Sequence, residues 1–394
     1  MGKENLMESY ARFDVNFEKG IGTKLYDTEG KEYLDFVAGV AVNCLGHCHP
    51  AVVKALDDQS KKLIHVSNLY WTPTQTELAK KLTQYSDHDT VFFWNSGTEA
   101  NETAIKMARK YGKLTGDVEK YEIITMENSF HGRTLGSLAI TGQTKYQKDF
   151  MPLIGGVSSV KFNDIDDLQK KISEKTCAVI IEPIQGEGGI IKADKTFLVE
   201  AKKLCEEYNA LLIFDEVQCG IGRSGDLFAY QSFGVVPDIV CLAKGLGGGF
   251  PIGAVLANEK ASIFKPGDHG CTFGGNPLGC AVSLAVLEEL MENGVLEGVK
   301  EKEQFFKAEI EKLMIEYNFI KKIDGKGLML GLHLEIEAKK IVGKAFEKGL
   351  LIIGAGKNVV RIVPPLNITT DEIKKGLEIL QEIFKEVKSE LEFV

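Results

Sequence analysis

Two apolar runs in this chain each end in a charge. Ala210-Leu-Leu-Ile-Phe-Asp215 closes on an acid, and Asp238-Ile-Val-Cys-Leu-Ala-Lys244 closes on a lysine that opens the Gly-rich loop Gly245-Leu-Gly-Gly-Gly249. Runs this short and this uniformly apolar predict strands buried on both faces, the situation of parallel sheets covered by helices. Such sheets meet their ligands just beyond the carboxyl ends of the strands, where Asp215 and Lys244 both stand. A lysine amine can form a Schiff base with a carbonyl cofactor, and a neighbouring acid can hold a protonated pyridine nitrogen.

The rest of the chain repeats the pattern. Residues 20–36 turn around Thr28-Glu-Gly30-Lys31 and predict a hairpin, and Pro50 begins a helical pattern. Strands are predicted at Val91–Trp94, Tyr121–Met126, Cys177–Glu182, Leu211–Asp215, Ile239–Ala243 and Gly253–Ala257, with helices at 99–112 and 196–208 between some of them. That alternation predicts a mostly parallel, three-layer α/β domain. After about residue 276 the character changes: long helical stretches at 277–293 and 297–317 precede strand-like Leu328–Leu334 and Val359–Val363, then an amphipathic helix from about 370. The expected division is an N-terminal segment, 1–60, packing with the small domain; a large α/β domain, 61–276; and a small α+β domain, 277–394.

A length of 394 residues suits two such lobes. The formal net charge of −9 argues against nucleic acid, which needs a basic stripe. No apolar signal core stands in the first thirty residues and no run approaches a membrane span, so the expected location is cytoplasmic, without a membrane partner. Eight cysteines lack a framework spacing and suit reduced thiols. Cys44-Leu-Gly-His47-Cys48-His49 has no second ligand pair at a zinc spacing, so no metal site is expected. Gly220-Ile-Gly-Arg-Ser-Gly225 matches a G-x-G-x-x-G string but lacks the helix that a dinucleotide site requires.

Several further segments could carry chemistry. Asn95-Ser-Gly-Thr-Glu-Ala-Asn101 joins a strand to a helix through a Gly turn, which makes either an anion site at a helix N-terminus or simply a capped helix. In Ser129-Phe-His-Gly-Arg-Thr134, Phe130 can stack on a flat ring and Arg133 can clamp a carboxylate, although core packing alone would explain Phe130. His131 reads as a hydrogen-bonded structural imidazole. Glu187, in Glu182-Pro-Ile-Gln-Gly-Glu-Gly-Gly189, is either a solvated loop acid or the partner of an arginine. Arg361 lies inside the apolar stretch Val359-Val-Arg-Ile-Val-Pro-Pro365 and needs an anion, which a substrate carboxylate or a structural acid would supply. His269-Gly-Cys-Thr-Phe-Gly-Gly-Asn-Pro277 is a second Gly-rich loop able to contact phosphate.

Taken together, these motifs resemble the class III (subgroup II) pyridoxal-phosphate aminotransferases of fold type I, and most of all the N-acetylornithine aminotransferase group. The likeness runs from Asp35-Phe-Val-Ala-Gly to Arg361-Ile-Val-Pro-Pro-Leu366. It implies pyridoxal 5′-phosphate as cofactor, Lys244 as Schiff-base lysine and proton shuttle, and Asp215 as partner of the ring nitrogen. It further implies cofactor contacts from Gly97, Thr98, Phe130 and the run Asp215-Glu216-Val217-Gln218. Thr272 would bind the phosphate of a neighbouring subunit, which makes a homodimer the expected assembly. Arg133 is similar to the arginine for the acetylornithine carboxylate, Arg361 to the one for glutamate, and Glu187 to the acid that covers Arg361 in one half-reaction. Cys271 stands at a substrate-contacting position that is usually serine; a thiol donates only weakly.

The implied reaction is a ping-pong exchange between N-acetylornithine and 2-oxoglutarate, yielding glutamate, in arginine biosynthesis. Alternatives within the resemblance are succinyl-diaminopimelate, succinylornithine, ornithine or 4-aminobutyrate as amino donor. An aminomutase that recycles its amino group would be a different class of reaction. Val40 and His131 stand where ornithine δ-aminotransferases carry other residues, and this disfavours free ornithine.

Overall fold

A computed structural model describes residues 5–116 and 119–392. Its centre is a seven-stranded sheet: β1 (Thr90–Trp94), β2 (Glu122–Met126), β3 (Val157–Val160), β4 (Thr176–Ile181), β5 (Leu211–Asp215), β6 (Ile239–Leu242) and β7 (Gly253–Ala257). Their order across the sheet is β1-β7-β6-β5-β4-β2-β3. Neighbours from β6 to β3 are parallel, and β7 pairs antiparallel with both β6 and β1. Six strands therefore point the same way, and β7 alone is reversed.

The apolar continuity of the central strands has a direct cause. Along β5, Leu212 and Phe214 enter one hydrophobic cluster while Leu211 and Ile213 enter a second, on the other face of the sheet. Along β6, Val240 and Leu242 join the first, Ile239 and Cys241 the second. With both faces buried, the period of two survives in the packing but vanishes from the polarity pattern. The helix Gly97–Thr115 covers the second face through Ala100, Ala104, Ala108 and Tyr111. The helix Lys195–Glu207 covers the first through Phe197, Leu198, Ala201 and Leu204.

A second, antiparallel sheet holds Ile320–Lys326, Met329–Leu334, Val359–Ile362 and Ile353–Gly354, in that order. The predicted N-terminal hairpin forms as Lys24–Asp27 against Glu32–Asp35, preceded by Phe17–Ile21. Leu350–Leu351 then adds to this sheet in parallel with Glu32–Asp35, so the N-terminal strands share backbone hydrogen bonds with the C-terminal region. Among the described residues, no helix is long and apolar enough to cross a membrane.

The C-terminal helix Thr370–Glu392 buries Ile373, Leu377, Leu380 and Phe384 at helical spacing. Gly376 in its interior allows the fully buried Phe36 ring to approach; a Cβ there would lie 2.2 Å from Phe36 Cζ. Helix propensity alone makes alanine better than glycine by about 1 kcal/mol. Overpacking against a fixed ring costs about 1–3 kcal/mol and decides the sign. Gly376→Ala is therefore expected to lower the urea midpoint of unfolding, against the propensity trend.

Candidate active site

The site forms at one edge of the central sheet because the strands share a direction. In the β5–β6 pairing Asp215 stands opposite Cys241, so Lys244, three residues further along, leaves the sheet beside it. β1 ends at the same edge and delivers Asn95–Thr98, β2 delivers Phe130–Arg133, and β4 delivers Glu182. A cavity of about 430 Å3 at this edge is lined by Gly97, Thr98, Phe130, Arg133, Asp215, Val217, Gln218 and Lys244, among others. That is a size ordinary for a cofactor or small-molecule site.

Asp215 is buried and well supplied with donors. Its Oδ2 accepts from Asn101 Nδ2 at 2.7 Å and lies 2.7 Å from His131 Nδ1, while Oδ1 accepts from the Val217 backbone N–H at 3.0 Å. His131 and Asn101 thereby fix the carboxylate's orientation. Lys244 takes a left-handed backbone conformation, φ 43°, as the strand gives way to a short 3-10 turn. Its amine is pushed below the usual lysine range, first by burial and then by the Arg361 guanidinium; Glu187, Asp215 and Glu182 oppose the shift. An unprotonated fraction larger than that of a solvated lysine is what a nucleophilic amine requires.

Gly97 is the first residue of a helix whose N-cap Ser96 accepts from the Glu99 N–H. The helix N-terminus presents free amides toward the cavity edge. Glycine is required at position 97, because a Cβ would lie 2.6 Å from Val217 Cγ1. Thr98 Oγ1 sits 3.0 Å from Thr134 Oγ1 and accepts from the Arg133 N–H at 3.3 Å, which joins the first two site loops. Arg133 is exposed, with its guanidinium 3.9 Å from the Tyr146 ring centroid and 5.4 Å from that of Phe130. An amine, a buried acid and a helix N-terminus around one cavity fit the carbonyl, ring nitrogen and phosphate of pyridoxal phosphate.

Arg361 is buried and bonds Glu187 Oε1 at 2.5 Å and Gln218 Oε1 at 3.1 Å through the same nitrogen. Its Nε is buried and has no hydrogen-bond partner among the described residues. Of the two readings open for Glu187, solvated acid or arginine partner, the structure has the second.

Not every expected site residue lines this cavity: Arg361 and Glu187 stand behind Gln218, Thr272 was expected at a neighbouring subunit's site, and Glu216 and Cys271 have other partners. Glu216 does not line the cavity; its carboxylate accepts from the Ala229 and Tyr230 backbone N–H groups at 2.5 and 2.7 Å and holds the start of a short helix. Thr272 is exposed and does not line the cavity either. Cys271 lines a second cavity with Trp71, Phe92 and His269, and its sulfur accepts from Asn95 Nδ2 and the Gly274 N–H. The Gly220–Gly225 string is a turn-rich loop in which buried Arg223 donates to the carbonyls of Leu328 and Pro364, tying the β5 loop to the second sheet. His131 and Asn101, as supports of Asp215, and Glu182, as a cavity residue, emerge only from the structure. A signal for Asn101 exists in hindsight: a polar residue on the helix face where Ala100, Ala104 and Ala108 are buried.

The aminotransferase class-III profile matches residues 7–384, and the chain belongs to this family. It is 59% identical to the acetylornithine aminotransferase of Clostridium acetobutylicum, over 98% of this chain and 100% of that protein. It is 50% identical to that of Methanocaldococcus jannaschii, over 98% of this chain and 97% of the relative. Among solved structures, the N-acetylornithine aminotransferase of Stenotrophomonas maltophilia superposes with a TM-score of 0.85 at 38% identity, covering 96% of this chain and 98% of the other. The ornithine aminotransferase of Toxoplasma gondii superposes with 0.94 at 31% identity, covering 99% and 94%. The expected fold type I architecture is thus the observed one, and the enzyme is an aminotransferase.

Burial pushes the Glu216 carboxyl up to about 8, against the two N–H donors that favour its charged form. Folding raises this pKa above its usual 4.5. The group's contribution to stability is therefore complete below pH 4.5 and is lost as pH rises through 8. Glu216→Gln is expected to flatten the decline of unfolding free energy across that window relative to wild type, as measured by urea titrations at a series of pH values.

Proposed function

We propose that the protein is a pyridoxal-phosphate-dependent N-acetylornithine:2-oxoglutarate aminotransferase of arginine biosynthesis. The observation that carries this reading is the convergence of desolvated Lys244 and buried Asp215 on one cavity, with the Arg361–Glu187 pair beside them. The amino donor is argued from the relatives, since acetylornithine aminotransferases from a clostridium and a methanogen share half or more of their residues with this chain. A solved relative, the Toxoplasma gondii ornithine aminotransferase, carries pyridoxal phosphate at partial occupancy in its active site.

Pyridoxal phosphate supplies a carbonyl that condenses with amines and a ring that draws electrons from the carbon bearing them. Lys244 would take the proton from Cδ of N-acetylornithine in the first half-reaction and deliver one to Cα of the nascent glutamate in the second. Asp215, fixed by His131 and Asn101, holds a proton on the ring nitrogen and keeps the ring electron-poor. Of the residues lining the cavity, Gly97 and Thr98 would hold the phosphate through their amides, Phe130 and Val217 would pack on the ring, and Gln218 would contact its phenolic oxygen.

Two dissimilar substrates share the site in turn. The Arg133 guanidinium, which among the described residues rests on the Phe130 and Tyr146 rings, is placed to receive the carboxylate of N-acetylornithine. Arg361 is neutralised by Glu187 in that half-reaction, and the α-carboxylate of 2-oxoglutarate displaces the acid in the other. The functional unit is a homodimer in which Thr272 completes the neighbouring site. Its exposure supports this, as do Leu69 and Trp71, 85% and 88% exposed, on a segment that Asn68 ties to the Cys271 and Gly274 carbonyls.

Holoenzyme supplied with N-acetylornithine and 2-oxoglutarate is expected to form glutamate and the semialdehyde in equal amounts. Its kcat/KM for ornithine, 4-aminobutyrate and succinylated amines should be lower; a higher value for any of them moves the substrate while keeping the chemistry. Lys244→Ala should fold normally and lose turnover by at least about 10²–10⁴-fold; near-normal rates would sink the mechanism. Glu187→Gln, which uncovers Arg361, should lower the KM for 2-oxoglutarate and slow the half-reaction with N-acetylornithine, read by single-turnover spectra.

A further inference from the structure

Glu182 is a cavity residue with no part in the chemistry above. It follows directly on β4 and is 5% exposed. Its two oxygens serve two different loops. Oε1 accepts from the Phe130 backbone N–H at 2.8 Å, and Oε2 accepts from the Gly186 backbone N–H at 3.1 Å. The first loop carries Phe130 and Arg133; the second carries Glu187, the residue that covers Arg361.

The surroundings leave little slack at either end. Gly186 lies so close to the Gln218 amide that a Cβ would fall 2.4 Å from Nε2, and Gln218 in turn accepts from Arg361. On the other side, the His131 N–H donates to Thr141 Oγ1 and the His131 carbonyl accepts from Asn101, so the chain beyond Phe130 is held as well. A buried carboxylate is kept in such a place only if its oxygens are satisfied, and here the donors are two backbone amides. Burial raises the Glu182 carboxyl to about 7; His131 opposes the rise, Asp215 adds to it, and Lys244 also faces it.

We propose that Glu182 is a positioning residue, a clamp that fixes the Phe130–Arg133 loop and the Gly186–Glu187 loop relative to each other. The proposal rests on the reading in which Arg133 and Arg361 receive substrate carboxylates. With the backbone pinned at Gly186, a switch of Glu187 is confined to its side chain, and both arginines keep one registration while the substrates alternate. Gln185 Nε2 also donates to the Glu127 carbonyl at 2.9 Å, between the bases of the same two loops, but Glu182 is the side chain that reaches the Phe130 and Gly186 amides next to the substrate-facing residues.

The test is hydrogen exchange by mass spectrometry on peptides covering 127–134 and 184–190 of the holoenzyme, paired with steady-state kinetics. In Glu182→Ala both peptides should exchange about tenfold faster. The KM values for N-acetylornithine and 2-oxoglutarate should both rise about 10–100-fold, with a smaller change in kcat. Glu182→Gln has the same shape but one accepting oxygen, so it should release one loop and raise one of the two KM values; it also serves if the alanine variant does not accumulate. Unchanged exchange in both peptides, or faster exchange with unchanged KM values, overturns the clamp. If wild-type enzyme ignores N-acetylornithine, the substrate reading fails, and the exchange comparison alone then decides the clamp.

Discussion

The active site depends on one stretch of parallel pairing. β5 and β6 are adjacent and in a register that sets Asp215 opposite Cys241, and Lys244 follows at a fixed distance along the chain. Shifting that register by one residue would invert the side chains of β5 relative to its neighbours and exchange the two hydrophobic clusters. The packing of Leu212, Phe214, Val240 and Leu242 on one face, with Leu211, Ile213, Ile239 and Cys241 on the other, resists such a slip from both sides. Core packing and catalytic geometry are therefore a single constraint.

Around that pair, the site is organised by buried charges that lean on one another. Asp215 is held by His131 and Asn101, Glu182 by two backbone amides, and Arg361 by Glu187 and Gln218. Removing water makes each unpaired charge expensive, so every one of these groups has a partner. It also lets them act on Lys244 at a distance: Arg361 lowers the amine's pKa, and Glu187, when it turns toward the arginine, counters part of that effect. The Arg361–Glu187 pair is thus in electrostatic reach of the lysine.

Much of this was legible from residues alone, for identifiable reasons. Strands buried on both faces announce themselves as apolar runs, and Asp215 and Lys244 stood out because each breaks such a run at its end. Several strands were missed, among them four two-residue ones and two longer ones. Val157-Ser-Ser-Val160 lies at the sheet edge, short and half polar. Ile320–Lys326 pairs with Met329–Leu334 through a register shift between Ile320 and Lys322, which breaks the alternation that would have revealed it. The supports of Asp215 were hidden for a different reason: a structural role for His131 and a misplaced polar Asn101 could be read, but their shared partner is set by tertiary hydrogen bonds that spacing does not reveal. Glu216 misled because it adjoins Asp215, yet successive residues leaving a strand face opposite ways, and its carboxylate caps a helix instead.

The reversed strand β7 has a consequence for how the site comes into being. Among the described residues, β1 touches the central sheet only through β7. The helix N-terminus at Gly97 is mounted on β1, so a growing chain that has not yet reached Gly253 has Asp215 and Lys244 but no seat for the strand that brings the free helix amides to them. The closing of this contact spans a long loop and is slow relative to local pairing. Completion of the cavity wall at Gly97 therefore waits on completion of the sheet.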